Sequence, residues 1–454
     1  MIGRAISNVP HVPRTRAVLD ARATVRNPIT VFEKYRARCG QTFSFHFGGV
    51  KPAVATTDPV VLEHVLRGNR DNYHKSDIQV ERMVEFQGKG LVNSHGEMWL
   101  RQRRLLAQGF KPNHLARLLP MQQDVLRELL EGFDRAAQRG PVDVHHQMVR
   151  FTLRLVGRSL LGRSMSDGEL DRIAHAISEI QTFVLQQIIQ PYKIPWFRIS
   201  GETERLQRLR REGDGIVLRY VEERLRQGLV ENEFLKVLLE TPYHDTGQPM
   251  EQPQAMIELL QLIVAGNETS SIALTWTLYL LARHPRYIGE IRDEVASVIG
   301  GDPIDYRNLH RLDGTMRVIN EALRLYPPFW MIDRVALADD EVAGVHIPAG
   351  AMVIPYIYGT HRNPAHWQDV ETFDPGRFET HRAGERHPFA YIPFGGGPRI
   401  CIGNNMAITQ ILLIVVALAR RYDFRMAQDG PAAIRPMMLL RPQGAVPMHF
   451  RPVA

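Results

Sequence analysis

Cysteine is scarce. The 454 residues hold two, Cys39 and Cys401. Two thiols cannot build a disulfide framework, so stability must come from a core. The N-terminal stretch MIGRAISNVPHVPR lacks the apolar segment that a secretory signal needs. A reducing cytoplasm is the expected compartment. Long apolar runs are missing too. The longest clean one, Ile411 to Ala419, has nine residues and ends at Arg420 and Arg421. A membrane-spanning helix needs about 20. No membrane span and a soluble chain are therefore expected.

Lysine is sparse as well: seven of the 56 basic residues, leaving 49 arginines in a chain of net charge +7. Guanidinium groups favour fixed, two-pronged contacts to carboxylates and phosphates. Most of them suit a solvated surface, and some could attract an acidic partner. No zinc-finger, homeodomain or RNA-binding signature is present, so no nucleic acid is expected. With 44% hydrophobic and 23% charged residues, the chain has the composition of a folded globular protein.

What is present is mostly helical patterning. Thr42–Phe47 and Pro52–Thr56 alternate apolar and polar residues and predict two strands. Pro59–Gly68 predicts a helix, and Gln79–Ser94, with glycines at 88 and 90, predicts a loop with helical turns. From Gly96 to about Leu280 the periodicity is almost entirely helical. The segment 255–282 is apolar nearly all round, which predicts a helix through the core, yet its middle is Gly266-Asn267-Glu268-Thr269-Ser270. A helix around Thr315–Tyr326 stops at Pro327-Pro328. Strand-like pieces at Val335–Ala338 and Met352–Tyr356 follow, then a long irregular stretch from Asn363 to Pro398. A final helix, Ile402–Arg421, leads into a strand-rich tail. Length alone would allow two or three domains. Without a linker or repeat, the expectation is one domain over 1–454: mainly α, with a small β region near 40–60, 335–360 and 430–454.

Cys401 stands in Phe394-Gly395-Gly396-Gly397-Pro398-Arg399-Ile400-Cys401-Ile402-Gly403. Glycines let a backbone approach something closely. A cysteine just before an apolar helix meets peptide dipoles that stabilise a thiolate. A phosphate loop does not fit, because no Gly-Lys-Ser/Thr ending follows. A zinc or redox pair does not fit either, because no second cysteine is near. A structural cysteine, a nucleophile and a metal ligand stay open on these grounds.

The segment matches Phe-x-x-Gly-x-Arg-x-Cys-x-Gly at every fixed position and resembles the haem-binding signature of the cytochrome P-450 superfamily. That resemblance implies the family's fold, with haem between a long distal helix and a proximal cysteine loop. It makes Cys401 the axial ligand of the haem iron, pushing electron density toward O–O cleavage. Phe394 would shield the sulfur, and N–H groups of the loop running to Gly403 would tune it. Ala265-Gly266-Asn267-Glu268-Thr269-Ser270 resembles the oxygen-activation motif. It implies that Glu268 and Thr269 are catalytic, delivering protons at the O2 site, and that Ala265 and Gly266 shape the O2 pocket. Glu321-Ala322-Leu323-Arg324, with Phe373-Asp374-Pro375-Gly376-Arg377-Phe378, resembles the family's structural Glu–Arg–Arg network. Trp99, Arg103, Arg334 and Arg399 fall at positions similar to those that hold the haem propionates.

The resemblance runs from residue 99 to 403 in order and so covers essentially the whole chain. It implies haem b (iron protoporphyrin IX), O2 as co-substrate, and NAD(P)H acting indirectly through ferredoxin and ferredoxin reductase. Arginines near the cysteine loop, with Arg101 and Arg104, would offer that acidic ferredoxin a basic face. A monomer is expected. Substrate-contacting positions would be Phe86, Leu91 and Val92; Phe183–Trp196; Gln261 and Leu262; Phe329, Trp330 and Met331; and Met437 and Met438. They are mostly apolar and imply a lipophilic substrate, hydroxylated or epoxidised. His361-Arg362-Asn363-Pro364 with Trp367 is similar to members acting on fatty acids, terpenoids and steroids. The alternatives are oxidative coupling, desaturation or rearrangement on the same fold, or a non-catalytic haem binder.

Overall fold

Alternation in the first strands gives an antiparallel hairpin. β1 (Thr42–Phe47) pairs with β2 (Lys51–Thr56) across a turn in which Gly48 and Gly49 take φ of 60° and 78°. Only glycine enters that region without strain. The structure is a computed structural model that describes residues 6–162, 164–228, 233–300 and 304–453. β2 runs parallel to β8 (Met352–Pro355), and β5 (Arg334–Ala336) joins β8 to β3 (Tyr73–His74), giving the order β1-β2-β8-β5-β3. Segments more than 270 residues apart in sequence thus share one sheet. A hairpin of β6 (Asp340–Val342) and β7 (Val345–Ile347) flanks it. The tail contributes β9 (Tyr422–Met426), β10 (Ile434–Pro436), β11 (Leu440–Pro442) and β12 (Pro447–Pro452), with β12 also pairing β4 (Val142–Asp143). The tail strands begin at Tyr422, ahead of the expected position near 430, because the last helix passes directly into β9.

The longer helices are α1 (Pro28–Cys39), α2 (Asp77–Gln87), α3 (Gly96–Leu106), α4 (Pro112–Ala137), α5 (Val144–Leu161), α6 (Asp167–Ile189), α7 (Glu202–Gln227), α8 (Gln252–Arg283), α9 (Arg286–Val298), α10 (Asp313–Leu325) and α11 (Asn404–Arg421). α2 replaces most of the loop expected at Gln79–Ser94. Met83 and Phe86 bury one face of it, and Gly88, at φ 71°, follows its end. Residues 88–95 remain irregular apart from turns.

α8 is unbroken over 32 residues, and its second half from Ile272 to Ala282 is buried throughout. The apolar run of α11 packs against it in the largest core cluster. An apolar helix buried on every side is a core element, which is why the run Ile411–Ala419 needs no membrane. Among the described residues, no helix is long and apolar enough to cross one. Residues 361–396 form no long element, only short turns such as Pro375–Phe378 and Pro388–Ala390.

Candidate active site

The stretch before α11 is bent by its glycines. Gly395 and Gly397 sit at φ 75° and 64°. A Cβ on Gly397 would lie 1.8 Å from the Leu66 carbonyl oxygen, so no larger residue fits there. Cys401 N–H donates to the Phe394 carbonyl at 3.0 Å and closes the loop. Gly403 is the residue that precedes α11. Burial pushes the Cys401 thiol up, while the Gly403 N–H bonded to the sulfur and the Arg103 charge pull it down. Cys401 is nonetheless accessible at its surface. Ile402, next to it, packs in the same apolar cluster as Trp99 of α3 and Leu262 and Val264 of α8.

A group of cations, Arg334 buried and Lys75 and Arg399 half-buried, lies beside them. The Arg399 guanidinium sits 4.3 Å over the Trp99 ring. Arg334 is buried, and its Nη1 donates to the Asp333 carbonyl at 2.7 Å. Lys75, which sequence reasoning missed, bonds to the Val92 carbonyl and feels both arginines. Burial, then Arg334 and Arg399, push the Lys75 ammonium down to about 7. Burial and Arg334 push Arg399 down to about 10. Among the described residues no carboxylate forms an ion pair with Lys75, Arg334 or Arg399. Cations crowded this way suit an anionic ligand with more than one carboxylate.

Opposite, on α8, Thr269 Oγ1 donates to the Ala265 carbonyl at 2.7 Å. Glu268 is buried and forms an ion pair with Arg441 of β11. Burial raises its pKa and Arg441 opposes the rise. Arg441 also donates to Ser178 Oγ and Gln181 Oε1 of α6, each at 3.0 Å. Nothing in the sequence sets Arg441 apart from Arg425, Arg435 and Arg451 of the same tail. Gly266 lies against α5. A Cβ there would lie 3.2 Å from Val156 Cγ2, so glycine lets α8 cross α5 closely.

Glu321, Arg324 and Arg377 are all buried. Arg324 grips Glu321 with two bonds of 2.7 and 2.8 Å, and Arg377 Nε donates to Glu321 at 3.3 Å. Arg324 also donates to the carbonyls of His361 and Val370, both at 2.8 Å, and Arg377 to that of Asp369 at 2.8 Å. The network therefore supplies the hydrogen bonds that the irregular 361–377 segment cannot make for itself.

Of the substrate positions, Phe86, Val92 and Met438 share one apolar cluster with Phe183. Leu91 and Leu262 lie together in another. Trp330 is a correction. Its ring is buried against Phe32 and Tyr356 at 5.8 and 6.2 Å, and its Nε1 donates to the Met437 carbonyl at 2.8 Å. It belongs to the core under the β1-β2-β8 sheet, as does Met331. Phe329 is 37% exposed, and Met437 is half-buried with its carbonyl taken by Trp330. The Gln261 carboxamide is spent on backbone groups of residues 87–92. Arg101 is also redirected: it pairs with Asp245 and lies 3.7 Å over the Tyr243 ring, whereas Arg104 is exposed.

A mainly helical protein with an accessible cysteine at the head of a core helix, flanked by cations, is the architecture of a haem-thiolate enzyme. The cytochrome P450 family model matches residues 11–448, and the chain belongs to that family. It is 30% identical to cyclooctatin synthase of Streptomyces melanosporofaciens over 86% of this chain and 85% of that one. It is 29% identical to LUTEIN DEFICIENT 5, chloroplastic, of Arabidopsis thaliana, over 93% of this chain and 73% of the other. The crystal structure of the cytochrome P450DA heme domain superposes with a TM-score of 0.86 at 22% identity, covering 99% of each chain. The protein is an oxidoreductase, a monooxygenase that uses haem iron and O2 and draws electrons from a redox partner.

Proposed function

We propose that Cys401 is the axial thiolate and that the enzyme hydroxylates or epoxidises a lipophilic small molecule such as a fatty acid, terpenoid or steroid. The observation that carries the reading is the loop that presents Cys401 to Gly403 N–H and Arg103 at the head of α11. The residues present fit a haem. The accessible Cys401 thiol would ligate the iron, and Lys75, Arg334, Arg399 and the Trp99–Arg103 face would hold the propionates. Bound there, the haem supplies O2 binding and cleavage with electron density pushed from the thiolate. The balanced reaction takes R–H, O2, two electrons and two protons to R–OH and water. The electrons come from NAD(P)H through ferredoxin reductase and ferredoxin, and exposed Arg104 is a contact for that acidic partner.

This chain's part is to hold and move protons. Thr269 Oγ spends its hydrogen on Ala265, leaving lone pairs to accept a bond from water. Glu268, held by Arg441 in a buried setting, is the proton reservoir behind it. Proton-transfer groups of this kind contribute about 10²–10⁴ in rate. Thr269→Ala is therefore expected to cut product formed per electron pair delivered by at least tenfold, with O2 still consumed. Product and O2 measured together check it, and unchanged coupling would remove Thr269 from the relay.

The apolar cluster of Phe86, Val92, Phe183 and Met438 supports a lipophilic ligand. Titration of the haem Soret band with fatty acids, terpenes and steroids is expected to give a saturable spectral shift with one of these classes. No shift with any of them would sink the substrate reading. Product analysis on the binding class separates oxygen insertion from coupling, desaturation or rearrangement. No turnover with surrogate partners would favour a haem binder.

A further inference from the structure

The acid at position 258 sits in the apolar first half of α8, and nothing proposed above uses it. Its side chain is fully buried. A buried carboxyl group is costly unless donors meet it. Here Leu91 N–H donates to Oε2 and Gln254 Nε2 donates to Oε1, both at 2.9 Å. One turn further on, buried Gln261 repeats the arrangement. Val92 N–H donates to its Oε1 at 3.1 Å, and its Nε2 donates to the Gly88 carbonyl at 2.9 Å. Gln254 Nε2 also reaches the Lys89 carbonyl at 2.9 Å. Positions 254, 258 and 261 lie on one face of a helix. Together they take up backbone groups of a segment about 170 residues earlier in the chain.

The two glycines of that segment allow this approach. A Cβ on Gly88, at φ 71°, would come within 3.0 Å of Ile257, and one on Gly90 within 2.6 Å of Gln261 Oε1. Asn93 braces the loop from inside, donating to the Gly88 carbonyl at 2.7 Å and accepting from Gly90 N–H at 2.8 Å. On the loop's other side, Lys75 bonds to the Val92 carbonyl, and Arg399 Nη1 donates to that of Ser94 at 3.0 Å. The loop is thus stretched between α8 and two of the cations beside the cysteine.

We propose that Glu258 and Gln261 are positioning residues that clasp the 88–94 loop onto α8, fixing Leu91 and Val92 as one wall of the substrate chamber. This rests on the reading that Leu91 and Val92 face the substrate. The clasp also responds to pH. Burial pushes Glu258 up to about 7, against the bonds from Leu91 and Gln254, which pull it down. With the loop lifted, water returns its pKa toward the ordinary 4.5. The clasped state therefore binds the proton more tightly. Its advantage is full below 4.5 and is lost as pH rises through 7, by up to about tenfold per pH unit. Other charged groups nearby are few. Tyr243 faces Glu258 with its phenol held high, chiefly by burial, and Arg101, paired to Asp245, covers that ring. Lys89 on the loop is exposed.

Amide hydrogen exchange on the haem-loaded protein, normalised to intrinsic rates, tests the clasp. Protection at Leu91 and Val92 is expected to fall roughly 30-fold between about pH 5.5 and pH 8. Glu258→Gln, which keeps the acceptor and cannot titrate, should stay protected at both. Gln261→Leu should lose Val92 protection at every pH. It should also lower the affinity for 4-phenylimidazole relative to imidazole by about fourfold, the worth of one methylene-sized contact. A Glu258→Gln profile that titrates like the parent, or full Val92 protection in Gln261→Leu, would overturn the proposal. The reduced carbon-monoxide spectrum keeps the two readings apart. Its thiolate band in each variant leaves the cofactor assignment standing whatever the clasp does. Exchange at Leu91 and Val92 can be read even if that band is absent.

Discussion

Cys401→Ala is expected to abolish oxygen insertion outright, while Cys39→Ala leaves it unchanged. The asymmetry follows from what each thiol touches. Cys39 ends α1 and packs at the edge of the core under the β1-β2-β8 sheet, far in sequence from any motif. Cys401 is accessible, receives the Gly403 N–H and feels Arg103. Burial alone would keep a thiol protonated, so those two groups are what favour the thiolate. The alanine variant should still fold, because the loop is held by Gly397 against Leu66 and by the Cys401 N–H, which alanine retains. Product assays with surrogate redox partners, alongside circular dichroism, check both halves. Residual turnover in Cys401→Ala above a few per cent would contradict the assignment.

Glu321→Ala is expected to have the largest effect on stability. The carboxylate accepts from Arg324, Arg377 and the Asp374 N–H in a fully buried site. Its removal leaves the Arg324 guanidinium buried without a counter-charge and Arg377 with only Asp374 at 4.0 Å, a change that costs about 3–5 kcal/mol. The arginines also hold carbonyls of residues 361–372, so the irregular stretch leading toward the cysteine loop would loosen with them. Thermal unfolding and haem content measured together should both fall sharply. Glu321→Gln keeps the acceptor oxygens partly in place and should be intermediate. An alanine variant with the parent's melting temperature would show that the network carries no stability.

Motifs whose parts lie close together along the chain are legible in the amino-acid sequence. The loop 394–403, the Glu321–Arg324 pair and the strand Thr42–Phe47 each need neighbours a few residues apart, and spacing reports those. Arg377 requires a resemblance, since its partner lies 56 positions away. Glu258, Gln261, Lys75 and Arg441 do not declare their roles in this way. Apart from the Glu258–Gln254 contact within α8, their partners lie 17 to 263 positions away in the chain. An acid and an amide inside an otherwise apolar helix are the visible sign of the clasp, because such groups are buried only with partners. Trp330 misleads for the opposite reason. A bulky aromatic next to a pocket position reads as lining, and only the sheet's topology shows that it turns to Phe32. The Gln79–Ser94 segment misleads through its glycines, which mark the loop after α2 and not the helix itself.

The central claim is that Cys401 presents a thiolate to haem iron. The reduced carbon-monoxide difference spectrum of the unmodified protein tests it most directly. The account predicts the red-shifted Soret band that gives the P450 family its name, absent in Cys401→Ala and present in Cys39→Ala. A haem-loaded protein without that band, or one that keeps it after Cys401→Ala, would contradict the assignment.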